Sequence, residues 1–129
     1  MIHGIGIDVV EKGRLERVVE RWGDRFLTRI FSAEELRLCS QKGDRIGAFA
    51  ARFAAKEAIL KALGTGWTGE VRWQDMEILN TKNGAPQIRL SGKVAELVAG
   101  RTLHISLSHE RSVAAAFAVL EDKNPGDQS

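Results

Sequence analysis

The 129-residue chain contains one cysteine, Cys39, and two prolines. A single cysteine excludes an internal disulfide framework and a cysteine-rich zinc site. No apolar run approaches the roughly 20 residues that a membrane-spanning helix requires. The amino-terminal segment lacks the basic leader, the full apolar segment and the cleavage site of a secretory signal. We therefore expect a cytoplasmic protein with no membrane partner.

Several common site motifs are also missing. The segment from Gly4 to Val9 lacks the third glycine of a dinucleotide-binding fingerprint, and the chain has no Gly-Lys-Ser/Thr phosphate loop. It has no Gly-x-Ser-x-Gly nucleophile elbow either. The net charge of +2 does not require a nucleic-acid partner, and we expect none.

The composition that remains is that of a globular protein. Hydrophobic residues make up 43% of the chain and charged residues 28%, which excludes a disordered chain. The length suits one domain. We expect that domain to cover residues 1–121 and a disordered polar tail to cover 122–129.

The apolar pattern predicts the element order β-α-α-α-β-β-β-α-β-β, typical of an α+β fold with helices packed on a mostly antiparallel sheet. Ser32 and Glu35 have the spacing of a capping box, and Ser91 is expected to cap the last helix. The predicted strands cover 2–10, 71–73, 76–79, 87–90, 103–108 and 113–120. The predicted helices are one long helix that carries Leu15 to Phe26, then 33–40, 45–63 ended by Gly64, and a helix to Ala99.

Glu57 lies within the apolar stripe of the helix over 45–63, between Phe53 and Leu60. A carboxylate on an apolar face is costly unless it is paired, protonated or bound to a cation. One interpretation is a buried ion pair with Lys61 or a distant arginine. The other is a functional site.

Asp8 ends an apolar strand, on the same face as Gly4 and Gly6. The two glycines leave that face open to something bulky. Asp8 either caps a helix or turn, or ligates a cation. With Glu57, and without nearby cysteines or paired histidines, it suits a hard cation such as Mg²⁺.

Basic residues surround this segment. Arg52, Lys56 and Lys61 could bind a phosphate-bearing substrate, or they could form a solvated face with intrahelical pairs. His104 and Ser106 share one face of a strand that could present donors to a ligand.

A second group of basic residues lies on the long helix that carries Leu15 to Phe26. Arg14, Arg17, Arg21 and Arg25 follow one another at steps of three and four, with Arg29 beyond. They form either a docking surface for an acidic helix or a solvated face.

Several segments together resemble the holo-acyl-carrier-protein synthase family of phosphopantetheinyl transferases. The resemblance covers nearly the whole chain up to about Leu120 and rests on segments that occur in order. They are Gly-Ile-Gly-Ile-Asp at 4–8, Phe-Leu-Thr-Arg-Ile-Phe-Ser-Ala-Glu-Glu at 26–35, Arg-Phe-Ala-Ala-Lys-Glu-Ala at 52–58 with Gly-Thr-Gly at 64–66, Trp-Gln-Asp-Met-Glu-Ile at 73–78, Gly-Ala-Pro at 84–86, and His-Ile-Ser-Leu-Ser-His at 104–109.

The resemblance implies the 4′-phosphopantetheinyl transferase fold and a Mg²⁺-dependent transfer of 4′-phosphopantetheine from coenzyme A to a serine of apo-acyl carrier protein, for fatty acid biosynthesis. Adenosine 3′,5′-bisphosphate is the other product. Asp8 and Glu57 match the metal ligands, and Asp8, directly or through a metal-bound water, could accept the serine proton. The family also implies a homotrimer with active sites between subunits.

The resemblance assigns further roles. Asp8, Glu57 and Lys61 are the expected catalytic residues. Coenzyme A contacts are expected at Arg52, Lys56, Lys61, Gly64, His104 and Ser106, and carrier contacts at Arg14, Arg21 and Arg25. The competing hypothesis is a non-catalytic module that binds a nucleotide or an acidic helix.

Overall fold

The computed structural model describes residues 1–64 and 69–123. They form an α+β fold in which helices pack on antiparallel sheets, as predicted. None of the described helices is long and apolar enough to cross a membrane. The strands are β1 (Ile2–Glu11), β2 (Met76–Asn80), β3 (Pro86–Leu90), β4 (Arg101–His109) and β5 (Val113–Asp122); the helices are α1 (Lys12–Trp22), α2 (Asp24–Ile30), α3 (Ala33–Ser40), α4 (Arg45–Leu63) and α5 (Gly92–Val98).

The larger sheet has the strand order β1-β5-β4, and both pairings are antiparallel. β5 is therefore the central strand of this sheet. Its small residues Ala114, Ala116 and Ala118 are buried on the inner face, where they allow α4 to approach closely. β2 and β3 form a separate antiparallel hairpin.

Helix α4 lies across the inner face of this sheet. Gly4 and Gly6 of β1 provide the room, because a Cβ at either position would collide with the carbonyl oxygen of Ala62 or Ala58. The bulky group that the two glycines admit is thus the helix itself. The contact places Asp8 beside the middle of α4. Asp8 was expected to end its strand, but β1 continues to Glu11 because Val9, Val10 and Glu11 also pair with β5.

The ends of the helices follow from local chemistry. The capping box of α3 is present, since the Ser32 hydroxyl accepts from the Glu35 N–H and the Glu35 carboxylate accepts from the Ser32 N–H. Asp44 caps α4 through Gly47, and Gly64 ends α4 with a left-handed φ of 74°.

Four further sequence predictions are corrected. The long first helix is two helices, because Gly23 adopts φ 54° and breaks it between Trp22 and Phe26. Residues 71–73 are not a strand; Trp73–Asp75 forms a 3₁₀ turn, and the Asp75 carboxylate accepts from the Arg72 N–H.

The other two corrections concern the later elements. Ser91 makes no side-chain cap to α5. The last strand extends past Leu120 because the Asp122 N–H donates to the Met1 carbonyl and the Asp122 carboxylate pairs with Arg101. Residues 65, 66 and 124–129 lie outside the described residues.

Candidate active site

Asp8 and Glu57 line one cleft, of about 370 Å³, between β1, α1, α2 and α4. Residues 49 positions apart in the chain meet here because the glycines of β1 let α4 lie against it. The cleft is also lined by Val9, Val10 and Glu11 of β1, by Arg14, and by an apolar wall from the helices. The wall consists of Leu15, Val18, Phe26 and Phe53.

Glu57 is half-buried, and its carboxylate has no ion pair or hydrogen bond to any side chain within residues 1–64 and 69–123. Burial raises its pKa above the usual range, the nearby charge of Asp8 raises it further, and Lys61 partly offsets both effects. The expected buried ion pair with Lys61 is therefore not formed. Among the described residues, Glu57 is therefore an acid held near a second acid, Asp8, with no basic side chain bonded to it.

Lys61 instead pairs with Asp8. Its Nζ donates to Asp8 Oδ1 at 3.0 Å and to the Ile7 carbonyl at 2.9 Å. Asp8 does not cap α1, since the residue that precedes that helix is Glu11, which makes no side-chain cap. The second carboxylate oxygen of Asp8 has no hydrogen-bond partner among the described residues.

The carboxylates of Asp8 and Glu57 fit a hard divalent cation whose remaining coordination positions are open to other ligands. No group of three or more metal-binding side chains occurs in the part of the chain that the structure describes. Two carboxylates nevertheless match Mg²⁺, which takes one or two protein carboxylates and completes its shell with waters and substrate phosphates. The unpaired state of Glu57 is the observation that favours a cation there.

Arg52 lies at a second cavity, of about 390 Å³, toward the other end of α4. Its guanidinium is buried and donates to the carbonyls of Ile78 and Ala48, at 3.0 and 3.3 Å, and to the side-chain oxygen of Asn80. Two further basic residues line this cavity, Lys42 and His109. Arg52 and Lys61 are two and a half turns apart, about 14 Å along the helix axis.

His104 and Ser106 lie on the opposite face of the sheet from the acidic cleft. Along β4 the side chains alternate, so that Leu103, Ile105 and Leu107 pack inward while His104 and Ser106 are exposed. His104 Nε2 is 3.1 Å from a carboxylate oxygen of Glu121 on β5. One chain therefore does not bring His104 to its own Asp8 and Glu57.

The arginines of the predicted stripe are divided between two helices. Arg14 on α1 lines the acidic cleft, and Arg21 lies over the ring of Trp22. Arg25 and Arg29, on α2, line a separate cavity of about 390 Å³ with Trp22. The break at Gly23 turns a straight stripe into a bent basic surface.

The chain matches the profile of the 4′-phosphopantetheinyl transferase superfamily over residues 4–118. It is 46% identical to the holo-[acyl-carrier-protein] synthase of Koribacter versatilis, over 95% of this chain and 100% of that one. It is 48% identical to the enzyme of that name from Geotalea daltonii, over 94% and 99%.

The chain belongs to the holo-acyl-carrier-protein synthases of this superfamily.

Solved structures of the family agree in fold. The Neisseria meningitidis holo-acyl-carrier-protein synthase superposes with a TM-score of 0.84 at 36% identity, covering 95% of this chain and 100% of that one. The Helicobacter pylori synthase, solved in complex with coenzyme A, gives 0.81 at 36% identity, over 91% and 99%. These matches confirm the phosphopantetheinyl transferase fold.

Two of the residues that the family resemblance assigned to coenzyme A have a polar group bonded within the protein, namely the ammonium of Lys56 and the N–H of Gly64. The side chain of Lys56 is fully buried, and its ammonium is bonded to Glu35 and to two backbone carbonyls, so the expected coenzyme A contact is corrected. The N–H of Gly64 is bonded to the carbonyls of Leu60 and Lys61 at the end of α4.

Sequence reasoning missed the apolar wall of the cleft and the basic residues of the second cavity. Phe26 and Phe53 each follow the apolar spacing of their own helix, and such spacing is typical of core residues. In the structure their ring centroids are 6.3 Å apart. Lys42 lies in a loop with no pattern, and His109 ends a strand. For both, only the three-dimensional proximity to Arg52 identifies them as candidates.

Proposed function

We propose that the chain transfers 4′-phosphopantetheine from coenzyme A to a serine of apo-acyl carrier protein in the cytoplasm, as a step that serves fatty acid biosynthesis. The observation that carries this proposal is the meeting of Asp8 with an unpaired Glu57 in one open cleft. Membership of the holo-acyl-carrier-protein synthases, one of which was solved with coenzyme A, supports it.

The transfer is a displacement at phosphorus. The serine Oγ of the carrier attacks the phosphorus that bears the pantetheine arm, and the bond from that phosphorus to the bridging oxygen of the diphosphate breaks. Adenosine 3′,5′-bisphosphate leaves with the bond's electron pair, and the serine proton passes to a base. The carrier supplies the nucleophile, so this chain needs only to position the groups and to offset their charge.

Asp8 and Glu57 would hold Mg²⁺, which when bound neutralises charge on the diphosphate oxygens. Lys61 fixes Asp8 through Oδ1 and adds a positive charge beside it. The other oxygen of Asp8 remains available to ligate or to accept the serine proton. Phe26 and Phe53 exclude water from the apolar side of the cleft.

The nucleotide end of coenzyme A is proposed to bind at the second cavity. Arg52 and Lys42 give this cavity the positive charge that the 3′-phosphate requires. His109, Gly84 and Pro86 also line it, as does Asp44, whose carboxylate lies 3.4 Å from His109 Nδ1. Arg52 is already bonded to backbone carbonyls and Asn80, so its guanidinium is held in a fixed direction.

A homotrimer with active sites between subunits is also proposed. The part of the outer sheet face that β1 and β5 form exposes large apolar side chains, whereas soluble monomers rarely expose a large contiguous apolar patch. The exposed fractions are 56% for Ile5, 57% for Ile7, 60% for Val9 and 42% for Phe117. Self-association would cover this face and bring His104 and Ser106 near the acidic cleft of a neighbouring subunit.

The carrier is proposed to dock on the bent basic surface of Arg14, Arg21 and Arg25. Arg14 lines both the acidic cleft and the adjoining groove along α1, so an acidic helix held there would direct its serine toward Asp8.

The test is the intact mass of apo-acyl carrier protein after incubation with the chain, coenzyme A and Mg²⁺. Addition of one phosphopantetheine group supports the transferase. An unmodified carrier, with coenzyme A bound and unconsumed, would refute it in favour of the non-catalytic binding module.

A further inference from the structure

A charged pair is buried beside the active-site helix. The side chains of Glu35 on α3 and Lys56 on α4 are both 0% exposed, and Nζ lies 2.7 Å from Oε1. Burial lowers the pKa of the Lys56 ammonium, and Glu35 opposes that shift. Since apolar side chains of similar size often stabilise a protein as well as a buried ion pair does, stability alone does not account for the pair.

The pair ties α4 to four segments outside the β1-β5-β4 sheet. Lys56 also donates to the carbonyl of Ile30, at the end of α2, at 2.7 Å and to that of Trp73 at 3.2 Å. Glu35 also accepts from the N–H of Ile78 on β2 at 3.0 Å. Four segments are therefore fixed relative to α4 by one ammonium and one carboxylate.

Aromatic contacts connect the segments that Lys56 binds with the acidic cleft. The Phe53 ring lies between Phe26, at 6.3 Å, and Trp73, at 5.3 Å between centroids. Phe26 is on α2 and Trp73 is in the 3₁₀ turn, the two segments whose backbone carbonyls Lys56 binds. Phe53 precedes Glu57 by about one helical turn, and Phe26, Phe53 and Glu57 line the same cleft.

We propose that Glu35 and Lys56 are positioning residues for the metal site. The pair fixes the rotation of α4 and the separation of α2 from it, and thereby the direction in which the Glu57 carboxylate faces Asp8. This inference rests on the proposed function, because it concerns the cation that Asp8 and Glu57 would hold.

The test uses the variant Glu35→Gln/Lys56→Met, which removes both charges and keeps the side-chain lengths. We expect the Kd for Mg²⁺, measured by calorimetric titration of the folded protein with coenzyme A present, to rise ten- to a hundredfold. The control is Glu34→Gln/Arg37→Met, which removes an exposed pair from the same helix and should leave that Kd unchanged.

A purely structural role would lower the melting temperature and leave the Mg²⁺ affinity of the folded protein intact, and that result would overturn the proposal. Should the double variant not fold, Glu35→Asp retains both charges and withdraws the carboxylate by one methylene. It is expected to raise the same Kd, and an unchanged Kd would overturn the proposal. A wild-type chain that binds no Mg²⁺ would instead overturn the proposed function, and this inference with it.

Discussion

Substitution of Gly6 by alanine tests the contact that assembles the acidic cleft. A Cβ at Gly6 would collide with the carbonyl oxygen of Ala58 and lie 2.8 Å from the nitrogen of Ala62 and 2.9 Å from the carbonyl carbon of Ala58. These are backbone atoms in the last two turns of α4, so no side-chain rotation relieves the overlap. The strand and the helix must therefore move apart.

The size of the effect follows from these distances. Ordinary contacts of a Cβ begin at 3.4 Å, and the collision with the Ala58 carbonyl oxygen therefore requires β1 to shift by more than about 1 Å. Overpacking of this kind costs about 1–3 kcal/mol, or roughly 3–15 °C in melting temperature for a chain of this length. Because Asp8 lies two residues along the same strand, its distance from Glu57 changes as well, and a displacement near 1 Å reduces catalysis by about 10²-fold.

The assay is phosphopantetheine transfer at saturating carrier, together with thermal unfolding, for Gly6→Ala and for Gly69→Ala. Gly69 is the matched control, since a Cβ there meets nothing within 4 Å and its φ is not positive. We expect loss of transfer in the folded Gly6 variant and little change in the control. A Gly6→Ala protein with wild-type transfer and stability would refute the packing argument.

Three further results are expected. Glu57→Gln should abolish transfer, by on the order of 10³-fold, and yet raise the melting temperature of the metal-free chain at pH 7. Because the pKa of Glu57 is raised in the folded state, its contribution to stability is complete below pH 4.5 and is lost as pH rises through the folded-state pKa. The difference in melting temperature between the glutamine variant and the wild type should therefore vanish in acid. A melting temperature that is unchanged at pH 7 would argue against an unpaired Glu57. Reversing the charges of Arg14 and Arg21 should raise the carrier KM at least roughly tenfold and spare coenzyme A binding, whereas unchanged carrier kinetics would exclude this docking surface. Phe117→Lys should convert a self-associated species to monomer in size-exclusion chromatography, and a wild-type chain that is already monomeric would contradict the proposed trimer.

The elements that build the cleft could be predicted from the sequence because their signals are local. Strand β1 and helix α4 have clear apolar periods, and the glycine pattern of β1 marks a face where something large approaches. An acid in an apolar strand and an acid on an apolar helical stripe were enough to predict that Asp8 and Glu57 act together. Their shared cleft agrees with that prediction, and their role in binding a metal remains to be measured.

The remaining features depend on contacts that periodicity does not encode. Helix α4 is buried on nearly all sides, so the apolar stripe did not separate its inner face from its outer face. The Lys56 side chain points into the protein because its ammonium binds Glu35, 21 residues earlier in the chain, and the carbonyls of Ile30 and Trp73. The break at Gly23 leaves the spacing of Trp22 and Phe26 helical and was therefore invisible in the pattern.

The most direct measurement is the binding of Mn²⁺, as a spectroscopic substitute for Mg²⁺, by electron paramagnetic resonance in the presence of coenzyme A. The wild-type chain should bind one ion with an affinity that coenzyme A increases, and both Asp8→Asn and Glu57→Gln should lose that binding while remaining folded. Retention of the coenzyme A-dependent signal in either variant would contradict a diphosphate-bound cation held by these two acids.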